Sequence, residues 1–258
     1  MVIKHDFVYT PNGENRRLHI WLPAGYEASR DRYPVMYFFD GHNLFFNEDA
    51  TYGKSWGLKE FLESWEKDMI IVGIECSHTG NRRLHEYLPY PASDEFFGPL
   101  EVLGNQTLDW IVEEVKPWVD ENYRTWPFRE CTGIAGSSMG GLMGIRAAVG
   151  YNRWFSKAAC ISSAIGFCPE PLFADIAATP MDPDTRVYLS WGSREAWQTA
   201  DPMHADPQSK SYIWNHAAAE AMERWGATTL VQCQEGGGHC EADWEKLVPE
   251  FMDFLWMR

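Results

Sequence analysis

The sequence predicts one α/β domain in which a mainly parallel central sheet is flanked by helices on both faces. Two observations lead to this fold class. The chain has 258 residues, of which 45% are hydrophobic and 23% charged, as is typical of a globular domain with a large core. Apolar runs of strand length alternate with segments of helical periodicity, the order expected of parallel strands joined by helices.

Seven segments carry the strand signal. The first alternates between polar and apolar residues and ends at Pro23. Others, such as MIIVGI, are apolar throughout, as expected of strands that are buried on both faces of a sheet. The predicted strands span residues 17–22, 33–39, 69–74, 130–136, 156–162, 186–191 and 228–233.

Helical periodicity fills the intervals between the strands. Apolar residues three and four positions apart predict helices over residues 107–121, 139–149, 209–225 and 241–256, with a kink expected at Pro117. The segment 166–185 contains several prolines and little periodicity, so we expect a loop or a small lid over the sheet there. No repeat or linker divides the chain, which predicts a single domain over 1–258.

The charge balance excludes two classes of partner. With 22 Lys and Arg against 37 Asp and Glu, the net charge of −15 predicts repulsion from nucleic-acid phosphates and from anionic membrane surfaces. The first residues lack the apolar core of a signal peptide, and no stretch is apolar enough to span a bilayer. Six cysteines without a C-x-x-C pair indicate reduced thiols, so we expect a cytoplasmic protein. The sequence makes no prediction of oligomeric state.

The sharpest functional signal is the segment GSSMG at 136–140, which fits the pattern G-x-S-x-G between a strand and a helix. Glycines on either side leave room for the tight turn from which a nucleophilic serine must project. Ser137 stands one position too early, so Ser138 is the predicted nucleophile. The backbone N–H of Met139 would donate to the oxyanion. The alternative is a Gly/Ser turn that only begins a helix.

A serine hydroxyl needs a base, and the base needs an orienting carboxylate. His239 follows three glycines after the last predicted strand and is the predicted base, ahead of His204. Glu195 is the first carboxylate after strand 186–191 and is the predicted acid, with Asp201 as its rival. The alternatives are a structural role for His239 and a solvated loop charge at Glu195.

The loop after strand 33–39 supplies a second candidate oxyanion donor. Gly41 permits a sharp turn there, so the backbone N–H of His42 is predicted to point at the same oxygen as that of Met139. The imidazole of His42 precedes the serine in the chain, which is the wrong order for the base of this fold. We therefore expect it to form part of the pocket wall.

Thirteen tryptophans are several times the usual share of this residue. Aromatic faces bind sugars and phenolic acids by stacking. Trp56, Trp191, Trp197 and Trp214 lie near the predicted site segments. Of these, Trp56, Trp197 and Trp214 are the candidate substrate-binding residues. The alternative for each of them is a place in the core.

Neither a metal ion nor an organic cofactor is predicted. Cys233, His239, Cys240 and Asp243 are close in sequence, but their spacing fits no common zinc pattern. The residues around His42 lack a set of carboxylate partners. The patterns GxxxxGK[ST] and strand-borne GxGxxG, which bind phosphate groups, are absent from the sequence.

Four segments resemble the putative esterase branch of the α/β-hydrolases, which includes esterase D, feruloyl esterases, enterochelin esterases and mycolyltransferases. They are YFFDGHNLF at 37–45, VGIEC with the NRRLHEYLPY that ends at 90, GIAGSSMGGLMGIRAAVGY at 133–151 and GGGHCEADWEKLVPEFMDFLW at 236–256. The resemblance covers most of the chain and implies an α/β-hydrolase fold.

The same resemblance implies roles for particular residues. Ser138 matches the family's nucleophile and His239 its base, and the oxyanion donors map to the backbones of His42 and Met139. Family members carry an acid in a segment G-[ST]-x-[DE], which is GSRE here and supports Glu195. The family more often has Gln at position 42, a departure that leaves the backbone role intact.

The predicted function is hydrolysis of a small-molecule carboxylic ester through an acyl-enzyme on Ser138. Short-chain acyl esters, acetylated sugars and aromatic acyl esters are the candidate substrates. Two alternatives use the same fold. One is an acyltransferase that passes the acyl group to a sugar or an alcohol, and the other is a non-catalytic binding protein.

Overall fold

An eight-stranded sheet forms the centre of the computed structural model, which describes residues 1–92 and 98–257. The strands are β1 Val2–Tyr9, β2 Glu14–Trp21, β3 Val35–Phe39, β4 Ile70–Ile74, β5 Thr132–Ser137, β6 Lys157–Ile161, β7 Arg186–Gly192 and β8 Thr228–Gln234. Their order across the sheet is β1-β2-β4-β3-β5-β6-β7-β8. Strands β3 to β8 are parallel, while β2 runs antiparallel to both β1 and β4.

Helices cover both faces of this sheet. They are α1 Leu58–Ser64, α2 Arg82–Glu86, α3 Gly104–Trp110, α4 Lys116–Asn122, α5 Met139–Gly150, α6 Pro169–Ala178, α7 Lys210–Glu223, α8 Glu241–Trp244 and α9 Val248–Trp256. Alternate residues of a strand point to opposite faces, so the sheet has two cores. Val35, Tyr37 and Phe39 of β3 pack into the core beneath α3, α5, α6 and α7. Met36 and Phe38 pack into the core beneath α1 and α9.

The predicted sheet and its helical layers are confirmed. All seven predicted strands are present with small shifts at their ends, and the helices predicted over 139–149 and 209–225 correspond to α5 and α7. The sequence reasoning missed β1 and the short helices α1 and α2. Within residues 1–92 and 98–257, none of the helices combines the length and the hydropathy needed to cross a bilayer.

The sequence predicts a loop or a small lid over 166–185, and the structure has helix α6 there, which contradicts the loop. Pro169 is the first residue of this helix, where the missing N–H of a proline costs no hydrogen bond. Leu172 and Ile176 lie one turn apart and are buried, which anchors the helix on the core. Proline content was therefore a misleading signal for a loop at this place.

The helix predicted over 107–121 extends from Gly104 to Asn122 through three consecutive pieces. Between α3 and α4, residues Ile111–Val115 form a π-helical turn that ends two residues before Pro117. A proline cannot donate to the carbonyl four residues earlier, and a wider turn relieves the resulting mismatch. The chain thus passes Pro117 without ending the helix. The helix predicted over 241–256 is divided into α8 and α9 by a 3-10 turn.

A close approach of two glycines positions the loop after β3. A Cβ at Gly41 would lie 2.3 Å from the carbonyl carbon of Gly73 in β4, so any side chain there would collide with backbone. We expect Gly41→Ala to lower the free energy of unfolding by about 3 kcal/mol, the upper range for overpacking, as measured by urea denaturation. Gly25→Ala is the control, because an added methyl meets nothing within 4 Å. Equal losses in the two variants would contradict this account.

Candidate active site

β5 and α5 meet in a tight turn at Ser138, at the carboxyl end of the parallel strands. Ser138 has φ 58° and ψ −121°, a conformation that a non-glycine residue adopts only where its surroundings impose it. A Cβ on Gly136 would lie 2.7 Å from the carbonyl carbon of Gly140, and one on Gly140 would lie 3.0 Å from Cβ of Phe39. The turn therefore depends on both glycines of the G-x-S-x-G pattern.

Two backbone N–H groups near this turn are available to a ligand. Met139 is the first residue of α5, and the first N–H groups of a helix have no acceptor within it. His42 lies in a short 3-10 turn that follows β3. Among the described residues, neither of these two N–H groups has a hydrogen-bond acceptor. These are the two N–H groups that the sequence predicts as donors to an oxyanion.

An ion pair holds the loop that carries His42. Arg83 donates from Nε and Nη2 to the two carboxylate oxygens of Asp40, each at 2.7 Å. Burial alone would raise the pKa of Asp40, but the charge of Arg83 keeps this pKa below its usual value. The N–H of Asp40 also donates to the hydroxyl of Tyr87 at 3.3 Å. The bidentate ion pair between Arg83 and Asp40 fixes the loop beside the nucleophile turn.

Glu195 and His239 are in direct contact. Oε2 of Glu195 accepts a hydrogen bond from Nδ1 of His239. A carboxylate can only accept, so in the neutral imidazole this contact requires the tautomer with the proton on Nδ1 and the lone pair on Nε2. Oε1 of Glu195 accepts from the backbone N–H of Gly192 at 2.7 Å and from the hydroxyl of Ser162. The carboxylate is therefore held on both oxygens, and it in turn orients the imidazole.

Ser162 and Trp244 support this pair, and the sequence reasoning missed both. Nε1 of Trp244 donates to Oγ of Ser162 at 2.9 Å, and the indole lies edge-on to the imidazole of His239 with ring centroids 5.0 Å apart. Ser162 follows β6 directly and has φ 46°. The carboxyl ends of neighbouring parallel strands lie at one edge of the sheet. The position of Ser162 directly after β6 could therefore have predicted that it lies near Ser138.

The rival candidates form a separate pair. Nδ1 of His204 lies 3.0 Å from Oδ2 of Asp201, and both side chains are more than half exposed. Asp201 therefore contacts His204, while Glu195 contacts His239. The two candidate acids, which the sequence left as alternatives, therefore contact different histidines.

A cavity of about 330 Å³ opens beside the nucleophile turn, and we name it the tryptophan cavity. Ser138 and His239 line it together with Trp191, Trp197 and Trp214. Two of the three tryptophans predicted to bind substrate, Trp197 and Trp214, thus face a cavity that also contains the predicted nucleophile and base.

Trp56, the third predicted substrate-binding tryptophan, is a core residue instead. Its side chain is only 3% exposed and packs against Trp244 and Phe251, with ring centroids 5.7 and 6.4 Å away. Apolar side chains beneath the sheet enclose the indole, so no ligand can reach it. The prediction that Trp56 binds substrate is therefore wrong.

A second cavity, of about 440 Å³, is lined by His42 and His78 together with Ser138 and His239, and we name it the histidine cavity. Burial lowers the pKa of His42 to about 4, so its imidazole is neutral at neutral pH. Nε2 of this ring lies 2.9 Å from Oγ1 of Thr51. The side chain of His42 is thus part of the cavity wall, as the sequence predicts. Ser138 and His239 are common to both cavities.

Residues 11–219 match the protein family described as Putative esterase, which is well over half of the chain. The chain belongs to this family. The matched stretch includes Ser138 and Glu195 and ends before His239. Family membership supports hydrolysis of esters as the class of reaction.

Individual relatives agree with this assignment. The chain is 30% identical to the uncharacterized protein YbbA of Bacillus subtilis over 187 residues, which is 70% of this chain and 69% of that protein. It is 27% identical to Esterase MT1326 of Mycobacterium tuberculosis over 146 residues, 57% of this chain but 28% of that protein. The crystal structure of an IroE-like serine hydrolase from Shewanella oneidensis has a TM-score of 0.75 at 17% identity, covering 99% and 79% of the two chains. The fold is the α/β-hydrolase fold.

Proposed function

We propose that the protein is a serine carboxylesterase that works through an acyl-enzyme on Ser138. The observation that carries this proposal is the contact between Glu195 and His239 beside a serine on a strained strand-to-helix turn. Ser138 and His239 line the same two cavities, which supports their acting on one substrate. The chain thus offers a nucleophile, a base and an acid, the three groups that the chemistry of a serine esterase requires.

Each residue has a defined step in the proposed reaction. Oγ of Ser138 attacks the ester carbonyl carbon while Nε2 of His239 takes the hydroxyl proton. The N–H groups of Met139 and His42 donate to the oxyanion that forms. His239 returns its proton to the departing alcohol oxygen, and water then cleaves the acyl-enzyme by the same route. Glu195 holds the tautomer of His239 and stabilises the imidazolium.

The tryptophan cavity is the proposed site for the acyl group. Its walls include the indoles of Trp197 and Trp214, which suit a flat aromatic group. Three buried polar atoms in residues that line it have no hydrogen-bond partner among the described residues: Oγ of Ser163, Nε1 of Trp191 and Oδ1 of Asn215. Unpaired buried groups are costly, so a ligand that pairs with them gains affinity. This combination favours an aromatic acyl group with hydroxyl substituents.

A panel of esters tests the reaction. Acetyl, butyryl, benzoyl and hydroxybenzoyl esters are offered to the purified protein, and products are identified with and without an added alcohol acceptor. We expect free acid as the main product under both conditions. A dominant transfer product would establish the acyltransferase instead, and lack of turnover on every ester would favour a binding protein.

Asn215 provides a sharper test of the acyl site. Its Oδ1 would accept from a substrate hydroxyl, so we expect Asn215→Leu to lower kcat/KM about tenfold for a hydroxybenzoyl ester relative to the benzoyl ester. Asn122→Leu in α4 is the control, because its amide donates to the carbonyl of Trp118 in the same helix. Equal losses on both esters would argue against recognition of the hydroxyl.

A further inference from the structure

We propose that His42, Glu75 and His78 bind a divalent transition metal ion such as Zn²⁺ at the wall of the histidine cavity. Each of these side chains offers one ligand atom, and the three atoms all lie within 4.8 Å of one another. They come from the loop after β3 and the loop after β4, which are adjacent because β3 and β4 are neighbours in the sheet. The esterase reaction proposed above assigns no role to the side chains of this cluster.

The separations are close to those of a zinc site. Ligand bonds of about 2.1 Å in tetrahedral geometry place ligand atoms about 3.4 Å apart. Nε2 of His78 and Oε2 of Glu75 are 3.3 Å apart, which already matches that spacing. His78 has a side chain that is 57% exposed, so it can move the remaining distance toward His42. Because all three ligand atoms already lie within 4.8 Å of one another, the adjustment that a metal ion requires falls on the exposed ring of His78.

A buried atom without a partner points to the same ligand. His42 is only 6% exposed, and its Nδ1 is buried with no hydrogen-bond partner among the described residues, whereas its Nε2 is next to Thr51. A buried ring nitrogen without a partner is costly unless something binds it. A metal ion is one group that could use this nitrogen, since neutral imidazole is a common metal ligand.

A further contact prepares Glu75 for this role. Oε1 of Glu75 lies 2.7 Å from Nε2 of His19, a residue that is only 2% exposed. The other carboxylate oxygen, Oε2, faces His78. Ligating carboxylates are commonly oriented by such outer contacts.

The donor set and the charge of the protein favour a transition metal. Two imidazoles and one carboxylate are a frequent ligand set of zinc sites that retain an open position, whereas calcium and magnesium prefer oxygen ligands alone. The net charge of −15 also raises the local concentration of cations around the chain. Because His42 and His78 line the cavity that Ser138 also lines, an ion between them would be accessible to ligands that enter beside the nucleophile.

Direct titration with Zn²⁺ tests the site, followed by titration with Co²⁺ as a spectroscopic probe. Both use the Ser138→Ala variant, so the result is independent of whether the protein is an esterase. We expect one Zn²⁺ per chain with Kd below about 10 μM, and an absorption band of Co²⁺ typical of four or five ligands. His78→Asn and Glu75→Gln, added to this background, should each weaken binding at least about tenfold.

His204→Asn is the matched control, because His204 also pairs with a carboxylate but belongs to no group of three ligands within the part of the chain that the structure describes. It should leave the affinity for Zn²⁺ unchanged. His78 is exposed, so its substitution should not disturb folding, and the melting temperature checks this. No binding at 100 μM Zn²⁺, or binding that survives His78→Asn and is lost in His239→Ala, would overturn the proposal.

Discussion

Ser138→Ala is expected to reduce kcat for a p-nitrophenyl ester by at least about 10⁴-fold, because the substitution removes the only atom proposed to bond covalently with the acyl group. The turn itself should survive, since alanine and serine meet the same backbone constraint at φ 58°. A fluorophosphonate probe should label the wild-type protein at Ser138 and leave the variant unlabelled. Steady-state kinetics and mass spectrometry of the labelled peptide measure the two effects.

Ser137→Ala is the control for this experiment. Ser137 is adjacent in sequence and 94% buried, but it ends β5 and stands one position before the turn. Its variant should keep activity within a few-fold of the wild type and should still be labelled. Labelling that persists in Ser138→Ala, or is lost in Ser137→Ala, would show that the nucleophile was assigned to the wrong residue.

The parts of the fold that could be predicted are those with a strong local pattern. β3 and β4 are buried on both faces, so their sequences are apolar throughout and identify them as central strands. β1 is an edge strand, and it was missed because the polar run at 4–6 interrupts its apolar residues and breaks the alternation typical of a half-buried strand. The short helix α1 has only Leu58 and Leu62 buried, too little periodicity to recognise.

The candidate site was predictable where chain order and strand ends decide it. Glu195 and His239 lie in the loops that follow two neighbouring parallel strands, β7 and β8, so topology alone brings these loops to one edge. The contacts that depend on side-chain packing could not be read in this way. Trp56 and Trp197 have equal claims in the sequence, yet one lies in the core and the other at a cavity.

The proposed metal ligands His42, Glu75 and His78 could likewise not be predicted from the sequence. Glu75 follows His42 by more than thirty positions in the chain, and only the pairing of β3 with β4 brings the two residues together. Single-sequence reasoning searches for short spacings typical of zinc motifs, and this arrangement has none. The spacing patterns of a single sequence do not tell which parallel strands lie side by side in the sheet, and this site depends on that order.

Glu195→Gln is expected to lower kcat by about 10²–10⁴-fold, the range typical of losing the acid of a serine hydrolase. The amide is nearly the same size, so the loop should keep its shape. Its NH₂ group can donate to Nδ1 of His239, which would place the imidazole proton on Nε2. That nitrogen could then no longer accept the proton of Ser138. Hydrolysis of a p-nitrophenyl ester, with thermal unfolding as the check on folding, measures the effect.

Asp201→Asn is the matched control, since it makes the same chemical change in the carboxylate that contacts His204. Its kcat should stay within about twofold of the wild type, because both members of that pair are exposed and Nδ1 of His239 contacts Glu195 instead. The comparison discriminates because each variant removes one carboxylate charge beside one histidine. A large loss in Asp201→Asn with near-normal activity in Glu195→Gln would transfer the role of the acid to Asp201. A loss of similar size in both would mean that net charge, rather than the tautomer of His239, controls the rate.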